Sequence, residues 1–232
     1  MENKKRILAV IPARGGSKSV LNKNIKELSG KPLICYTIEL SKKIKAFDKV
    51  VVSTDSEDIA KISRASGVDV VARPEKLSTD ISRTEDALLN VLKYYDSIGE
   101  KFDIVATLEP TSPLRTKETV INCVNYYMQS PCDSLITVVE DRGYLWMNTD
   151  ANNFSPLFEN QSRRRQDRKP LYKEAGGIYI TNVTGLIKNK AIIGGVLCLY
   201  VVDERESLDI NSHTDFLIAE SIFMNSLRGR PE

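Results

Sequence analysis

The sequence predicts an α/β fold in three layers, in which a mostly parallel sheet carries helices on both faces. Short apolar segments alternate with longer amphipathic segments along most of the 232 residues, and this order is typical of repeated strand–helix units. Hydrophobic residues make up 41% of the chain and charged residues 28%, as in globular proteins that bury a sizeable core. We therefore predict one domain over residues 1–232.

Strands are predicted where short runs of Val, Ile and Leu lie between polar segments. These runs are residues 7–11, 49–53, 68–72, 103–108, 135–139, 177–181 and 196–202. Between them lie segments whose apolar residues recur on one face of a helix. The predicted helices are residues 32–45, 56–65, 84–95, 117–128 and 214–225. Pro32 suits a first helical turn and Ser56 is a favoured N-cap residue, so two helix starts have a local chemical reason.

Residues 142–172 interrupt this pattern, because apolar residues are few there and Asn, Asp, Ser and Arg are abundant. Trp146, the single tryptophan of the chain, lies within them. A long aperiodic segment inside a compact domain is usually a functional loop or an arm. We predict a small polar arm inserted into the domain.

Composition excludes several classes of function. His213 is the single histidine, so histidine-based triads and histidine metal clusters are excluded. The net charge is only +2, which does not indicate general affinity for nucleic acid. No apolar segment approaches the length of a membrane span, and the run 7–11 is too short for a signal-peptide core. We expect a cytoplasmic protein without a nucleic-acid or membrane partner.

The four cysteines lie far apart and form no C-x-x-C pair. Cys35, Cys123, Cys132 and Cys198 each lie in or beside an apolar stretch. Cysteines of this kind behave as small hydrophobic residues. We expect all four to be buried, reduced thiols.

The segment after the first predicted strand has the chemistry of a phosphate site. It reads Ala13-Arg14-Gly15-Gly16-Ser17-Lys18 and continues to Lys23-Asn24. Adjacent glycines let backbone N–H groups approach an anion, while the arginine and the two lysines supply positive charge. A solvated basic turn is the alternative. The P-loop and dinucleotide-binding patterns are both missing from the sequence.

Six further blocks accompany this loop in order: VVSTDSEDIA, RPEKLSTD, LEPTSPLR, the RRQD region, AGGIYI and SLDI. With IPARGGSK and NKNI, they resemble the CMP-sialic acid synthetases, the cytidylyltransferases of acylneuraminates and related nonulosonic acids. The resemblance implies a Rossmann-like fold of the nucleotide-diphospho-sugar transferase type. It also implies transfer of CMP from CTP to the anomeric hydroxyl of a sialic-acid-like nonulosonic acid, with release of pyrophosphate. A CMP-Kdo-type cytidylyltransferase and a nucleotide-binding protein without turnover are the alternatives.

The resemblance implies which residues hold CTP. The triphosphate and catalytic residues would be Arg14, Lys18, Lys23 and Asp209, and the other nucleotide contacts Ala13, Gly15, Gly16, Ser17, Asn24, Ser78, Thr79 and Asp80. A plain turn and helix cap is the alternative for residues 77–80. Ser19 and Leu21 depart from the glycine and proline that are common in the family.

The resemblance also implies a sugar site and a homodimer. Substrate contacts would come from Glu109, Thr111, Ser112, Arg165, Gln166 and Lys173. The arm would reach the neighbouring subunit and complete its site, whereas a solvated face is the alternative for the basic run 162–173. Glu109 stands where the family often has glutamine, and an ionised carboxylate donates no hydrogen bond. Arg115 is predicted to be a structural ion-pair partner.

The resemblance further implies a magnesium site. Asp209 matches the first aspartate of the family's D-x-D pair, and Asn211 replaces the second. Mg²⁺ prefers oxygen ligands and neutralises charge in phosphoryl transfer. The alternative is that Asp209 merely caps the following turn. Asp215 is predicted to lie on the surface of a helix.

Overall fold

The computed structural model describes residues 4–17, 20–79, 81–150 and 153–227. Its strands are β1 (Ile7–Pro12), β2 (Glu27–Leu28), β3 (Lys31–Pro32), β4 (Lys49–Thr54), β5 (Asp69–Ala72), β6 (Ile104–Leu108), β7 (Ser134–Asp141), β8 (Trp146–Asp150), β9 (Asn153–Pro156), β10 (Leu171–Asn182) and β11 (Leu197–Val201). Its helices are α1 (Leu33–Lys42), α2 (Glu57–Ala65), α3 (Thr84–Ser97), α4 (Lys117–Gln129), α5 (Val183–Asn189) and α6 (His213–Leu227). Every predicted helix and strand is confirmed, with its bounds shifted by a few residues.

The central sheet has seven strands in the order β11-β7-β10-β6-β1-β4-β5. Only β10 runs against its neighbours, β6 and β7, while the other pairings are parallel. β10 is antiparallel because the chain leaves β7, passes through the arm and returns beside the same strand without a crossover helix. The prediction of a mostly parallel sheet is confirmed.

Apolar clusters on the two faces of the sheet explain the three layers. One face packs against α1, α2 and α4 through residues such as Ile38, Ile59 and Val124. The other face packs against α3 and α5 through Leu88 and Leu186. β1 is apolar on both sides because both are covered, as expected for a central parallel strand. Within the described parts of the chain, none of the helices combines the length and apolarity that crossing a bilayer needs.

Local signals account for the helix starts that the sequence predicted and for those that it missed. The Ser56 hydroxyl accepts a hydrogen bond from the Ile59 N–H at 3.4 Å, so the predicted N-cap of α2 is confirmed. α5 was not predicted because its seven residues are too few to show a helical period. Asn182 begins that helix by accepting a hydrogen bond from Gly185.

The predicted arm contains a short antiparallel hairpin, β8 paired with β9. Two arginines close its base, because the Arg142 guanidinium donates to the Arg168 carbonyl at 2.7 Å and Arg168 donates back to the Arg142 carbonyl at 2.7 Å. Arg168 also donates to the Ser162 carbonyl at 2.8 Å. Arg168, which belongs to the basic run, therefore stabilises the fold of the arm itself. β10 begins at Leu171, so the arm ends slightly before the predicted boundary.

The prediction of four reduced thiols is wrong for one pair. Cys132 and Cys198 form a disulfide with a Cα–Cα distance of 5.8 Å, although 66 positions separate them in the chain. They meet because β11 pairs in parallel with β7, and sequence spacing carries no record of that pairing. Cys35 and Cys123 are buried and free, as expected.

Candidate functional site

A cavity of about 560 Å³ opens at the carboxyl ends of β1 and β6 and beside the middle of β10. In open α/β sheets ligands bind at this edge, since loops that follow neighbouring strands converge there. Arg14, Lys23, Arg73, Glu109 and Asp209 all line the cavity. Three cations and two carboxylates thus face one space.

The loop after β1 is held in place by backbone and side-chain hydrogen bonds. The Ala13 N–H donates to the Ser53 carbonyl at 2.9 Å, and the Gly15 N–H donates to the Asp55 carboxylate at 3.0 Å. The buried Asn24 side chain donates to the Arg14 carbonyl at 2.9 Å. These contacts position the backbone of Ala13, Arg14 and Gly15.

The structure separates the residues of this loop into two groups. Among the described residues, Arg14, Ser17, Lys23 and Asn24 line the cavity, whereas Ala13, Gly15 and Gly16 do not. The predicted catalytic Lys18 and the predicted nucleotide contact Asp80 lie outside the described residues.

Replacing Gly15 by alanine is expected to lower the free energy of unfolding by about 1–3 kcal/mol, the usual cost of overpacking. A Cβ atom at Gly15 would lie 2.9 Å from the Cβ of Ser56, the residue that caps α2. Gly16→Ala is the matched control, because a Cβ there has nothing within 4 Å. Urea unfolding of both variants checks this, and equal stabilities would contradict it.

Lys23 connects the first loop to the segment that contains Asp209. Its ammonium group donates to the Ile210 carbonyl at 2.6 Å. Burial lowers the pKa of Lys23, while the nearby carboxylates Asp209 and Glu109 oppose that shift. Lys23 is therefore a half-buried donor held beside two acids.

Asp209 and Asn211 lie at the same end of the cavity. The Asn211 amide donates to the Asp209 Oδ2 at 2.7 Å, and the Asp209 Oδ1 is buried with no hydrogen-bond partner among the described residues. The Ile210 N–H donates to the Thr111 carbonyl at 2.8 Å, which fixes the backbone between them. One carboxylate oxygen of this cavity residue is thus buried without a hydrogen-bond donor among the described residues.

Asp215 begins α6 by accepting hydrogen bonds from the backbone N–H groups of Asn211 at 3.0 Å and Ser212 at 2.7 Å. Hydrogen bonds from the Ser212 side chain and the Asn211 backbone lower the pKa of its carboxyl group. The Ser212 hydroxyl in turn accepts a hydrogen bond from the Asp215 N–H at 3.2 Å, so these two residues share the capping role that was considered for Asp209. Asp215 lies in the first turn of the helix and is half-buried, whereas the prediction placed it on the helix surface.

Glu109 follows β6 directly and lines the cavity as a half-buried side chain. Burial, followed by the negative charge of Asp209, raises its pKa to about 7, although Arg73 and Arg115 act in the opposite direction. Thr111 also lines the cavity, whereas Ser112 is 1% exposed and does not. The turn therefore presents Glu109 and Thr111 to a ligand.

Glu109→Gln is expected to make the metal-free protein more stable at pH 8, by up to about 3 kcal/mol. The pKa of Glu109 is about 7 in the folded state against an ordinary 4.5. Between these two pH values the folded state holds a proton that the unfolded state has lost, and above pH 7 the folded state carries a half-buried negative charge. The contribution of Glu109 to stability therefore falls as the pH rises from about 4.5 to about 7. Urea unfolding at several pH values should show the variant's advantage vanish near pH 4.5, and a pH-independent difference would contradict this.

Arg115 has the predicted structural role, but its partners differ from the prediction. It is 5% exposed and donates to the carbonyls of Glu109 at 3.2 Å and Gly177, and to the Thr37 hydroxyl at 2.9 Å. Burial lowers its pKa to about 10. Within the described residues, Arg115 forms no ion pair at salt-bridge distance. It joins the turn after β6 to the bulge in β10.

That bulge carries one wall of the cavity. The register of β10 against β7 shifts between Glu174 and Tyr179. Gly176 lies in the shift with a φ of +68°, and a Cβ there would lie 3.4 Å from the Asp209 carboxylate. A glycine is favoured at this position because the left-handed backbone and the close carboxylate both oppose a side chain.

Sequence reasoning missed Arg73 and Tyr179. Arg73 is 8% exposed, donates to the Ser53 carbonyl at 3.3 Å and leaves its Nε without a partner in the described structure. Its position directly after β5 was a usable signal, since basic residues at strand ends face the ligand edge. Tyr179 lies within β10, where burial raises its pKa and Glu174 accepts its hydroxyl at 3.3 Å. Only the bulge brings it to the cavity.

Residues 78 and 79 form a turn beside the cavity without lining it. The Thr79 N–H donates to the Ser82 hydroxyl at 2.9 Å, and the Ser78 hydroxyl donates to the Pro74 carbonyl at 3.3 Å. Arg14 donates to the Thr79 carbonyl at 3.2 Å. Ser82 and Thr84 line the cavity instead.

The predicted substrate residues of the arm and of β10 lie away from this cavity. Arg165 and Gln166 belong to a short 3₁₀ helix of the arm and are not among its lining residues. Lys173 is exposed on β10 and lines a second cavity of about 630 Å³. That cavity shares Asp209 and Asn211 with the first.

The fold and the charged cavity together define an α/β protein of the nucleotide-binding class. The family profile described as Cytidylyltransferase matches residues 8–183. The chain belongs to this cytidylyltransferase family.

Curated relatives agree with this assignment. The chain is 34% identical over 222 residues to "Post-translational flagellin modification protein B" of Campylobacter coli, covering 92% of this chain and 93% of that protein. It is 32% identical to "CMP-N,N'-diacetyllegionaminic acid synthase" of Legionella pneumophila, covering 94% and 96%. It is also 32% identical to "N-acylneuraminate cytidylyltransferase" of Escherichia coli, but the match covers 94% of this chain and 52% of that protein. The chain spans about half the length of this last relative.

Solved structures show the same fold at low identity. CMP:2-keto-3-deoxy-manno-octonic acid synthetase complexed with CTP superposes with a TM-score of 0.70 at 14% identity, covering 95% of this chain and 99% of that one. A 4-diphosphocytidyl-2C-methyl-D-erythritol synthase gives 0.73 at 16% identity, covering 96% and 100%. These similarities support the fold alone.

Proposed function

We propose that the protein transfers CMP from CTP to the anomeric hydroxyl of a sialic-acid-like nonulosonic acid and releases pyrophosphate. The observation that carries the proposal is a single cavity, in a cytidylyltransferase chain, where the cations Arg14, Lys23 and Arg73 face the acids Glu109 and Asp209. Relatives named for N-acylneuraminate and for N,N'-diacetyllegionaminic acid support the substrate class. Because the proposed reaction consumes CTP, we also propose a cytoplasmic location for the protein.

The cations suit a triphosphate. Arg14 and Lys23 come from the loop after β1, and Arg73 follows β5, so charge converges from separate strand ends. An arginine can hold two phosphate oxygens in a fork, whereas a lysine acts as a point charge. Arg73 leaves its buried Nε unpaired, which suits a ligand acceptor. We assign these three side chains to CTP and include Ser17 and Asn24 as polar neighbours.

Asp209 and Asn211 suit Mg²⁺ bound together with phosphates. The described residues contain no cluster of three or more His, Cys, Asp or Glu side chains able to hold a metal by themselves. Mg²⁺ does not need such a cluster, because it usually takes one or two protein oxygens plus water and phosphate oxygens. The unpartnered Asp209 Oδ1 and the Asn211 amide oxygen provide such a pair. Mg²⁺, when bound there, would neutralise charge on the phosphates.

The reaction is a direct displacement at phosphorus. The anomeric oxygen of the sugar acid attacks the α-phosphorus, and the bond to the oxygen that bridges the α- and β-phosphates breaks. Pyrophosphate leaves with that oxygen, and the proton of the attacking anomeric hydroxyl passes to solvent. Arg14 and Lys23 stabilise the charge that develops, and Glu109 and Thr111 orient the sugar acid, so positioning and electrostatics do most of the work.

Asn211→Asp is expected to lower the Mg²⁺ concentration needed for half-maximal activity by about tenfold, because a second carboxylate adds charge to the metal site. The variant also loses the amide that donates to Asp209 at 2.7 Å. Without metal it should therefore unfold at lower urea than the original protein. Mg²⁺ titration of pyrophosphate release checks the first effect. An unchanged Mg²⁺ dependence would contradict the assignment of Asn211 to the metal.

We further propose a homodimer in which the arm completes the partner's site. Arg165 and Gln166 are exposed and line neither of the two cavities described above that contain Asp209. The arm hairpin exposes Trp146 and Phe154, at 51% and 64%, which suits burial against a second copy. Lys173, on the wall of the second cavity, would meet the sugar acid there. Light scattering tests the dimer, and a monomer would remove Arg165 and Gln166 from the site.

The function is tested by incubating the purified protein with CTP, Mg²⁺ and a panel of sugar acids. The panel contains N-acetylneuraminate, deaminated neuraminate, legionaminate, pseudaminate and Kdo. We expect pyrophosphate release and a CMP-sugar mass with at least one nine-carbon acid. Turnover with Kdo alone would favour the eight-carbon alternative. CTP binding without turnover of any acid would favour a binding protein.

A further inference from the structure

The disulfide between Cys132 and Cys198 joins the sheet to its last strand. Cys198 lies in β11, which forms one edge of the sheet and pairs only with β7 in the described structure. Cys132 lies just before β7. The bond therefore ties an edge strand to the body of the sheet at the point where β11 begins.

β11 pairs with β7 along its length and packs Tyr200 against Tyr126, but its outer face is uncovered. Leu197, Leu199 and Val201 point outward and are 41%, 43% and 52% exposed. Cys198 and Tyr200 point inward and are only partly buried. Edge strands with little buried surface open at lower free energy than central strands. The disulfide adds a covalent link to the hydrogen bonds that hold this strand on β7.

The chain runs from β11 directly into the segment that holds Asp209. Between Val202 and Asp209, Glu206 accepts hydrogen bonds from Thr116 at 3.1 Å and Thr119 at 2.8 Å at the start of α4, and Leu208 packs against the apolar cluster that contains Ile210. Ile210 is the next fixed point, through the Thr111 carbonyl. The segment that carries the residue we assign to the metal is therefore continuous with β11, and Glu206 is one of its contacts with the body of the domain.

We propose that the Cys132–Cys198 pair is a reversible thiol–disulfide switch that sets the order of β11 and of residues 202–209. Both cysteines are partly exposed, unlike the buried thiols Cys35 and Cys123, so small thiols have access to them. CTP is supplied inside cells, where thiol pools reduce accessible disulfides and surviving ones are usually transient or redox-sensing. The effect of the switch on turnover rests on the proposed function, whereas its effect on strand order does not.

The chemistry is thiol–disulfide exchange with glutathione. A glutathione thiolate attacks one protein sulfur, the protein S–S bond breaks, and the released sulfur takes a proton. A second glutathione thiolate then attacks the mixed disulfide, so that one glutathione disulfide and two protein thiols result. In the reverse direction glutathione disulfide takes up the two electrons of the protein thiols.

Hydrogen–deuterium exchange on the full chain, after equilibration with glutathione disulfide or with dithiothreitol, tests the switch. We expect peptides covering residues 196–209 to exchange about tenfold faster in the reduced protein, because the cross-link no longer restrains local opening. Peptides from β1 should not change. Alkylation followed by mass spectrometry should find Cys132 and Cys198 alkylated in the reduced sample and unmodified in the oxidised sample.

Two double variants control the experiment. Cys35→Ser/Cys123→Ser should keep the redox response, and Cys132→Ser/Cys198→Ser should exchange rapidly in both conditions. The two redox states of the unaltered protein carry the test if either variant fails to fold. Failure of the pair to oxidise, or equal exchange of residues 196–209 in both states, would overturn the proposal. Mg²⁺ titration of turnover adds the functional readout, and inactivity towards every sugar acid would count against the proposed function alone.

Discussion

Asp209→Ala is expected to reduce pyrophosphate release at least about a thousandfold, the loss typical of removing a charged group that stabilises a transition state. Asp209 lines the cavity, and its Oδ1 has no hydrogen-bond partner in the part of the chain that the structure describes, so we assign this oxygen to a metal bound to phosphates. Its other oxygen accepts a single hydrogen bond, from Asn211. The activity should therefore fall far more than the stability.

The measurement is pyrophosphate release across a Mg²⁺ titration, together with urea unfolding in metal-free buffer. Asp209→Asn is the matched control, because it keeps the shape and an amide oxygen but loses the charge. It should recover part of the activity at high Mg²⁺, and Asp209→Ala should not. Full activity of Asp209→Ala in a folded protein would remove Asp209 from the metal site.

Arg115→Ala is expected to lower the free energy of unfolding by about 3–5 kcal/mol, the usual cost of breaking a buried, charged hydrogen-bond network. The guanidinium is the shared donor of the Glu109 and Gly177 carbonyls. Without it, these buried acceptors lose a donor where water has little access. The turn after β6 and the bulge of β10 would then be joined by the Glu109 N–H, which donates to the Gly177 carbonyl at 3.3 Å, although Arg115 itself does not line the cavity.

Urea unfolding compares this variant with Arg64→Ala, an exposed arginine of α2 paired with Glu57 at 3.0 Å. Exposed ion pairs contribute little, so Arg64→Ala should change stability by less than about 1 kcal/mol. Arg115→Lys should be intermediate, because one ammonium cannot reproduce the planar fork of donors. A cost below about 1 kcal/mol for Arg115→Ala would show that the carbonyls find other donors.

Much of the fold could be predicted because helices and strands depend on local patterns. Ser56 caps α2 through its own side chain, and the run Ile7–Pro12 is apolar on both faces because both faces are covered. These signals lie within a few positions of the element that they define. α5 and the arm hairpin were missed because both are too short to show a period.

The candidate site was likewise predictable from the sequence only in part. Arg14, Lys23, Glu109 and Asp209 were predicted because they lie in segments that resemble family motifs, and the structure brings all four to one cavity. Tyr179 was not found, because a register shift within β10 decides which of its residues face the cavity. Ser112 was predicted to contact the substrate, but the turn buries it.

The sequence by itself determined the order of strands and helices, the charged loop after β1 and the family to which the motifs belong. The tertiary structure alone decided that β10 runs antiparallel, that Cys132 meets Cys198, and that Arg115 joins two carbonyls. Local propensity and periodicity are properties of neighbouring residues, so a sequence displays them directly. Contacts between distant residues depend on strand order and register, which are set only when the whole sheet packs against its helices.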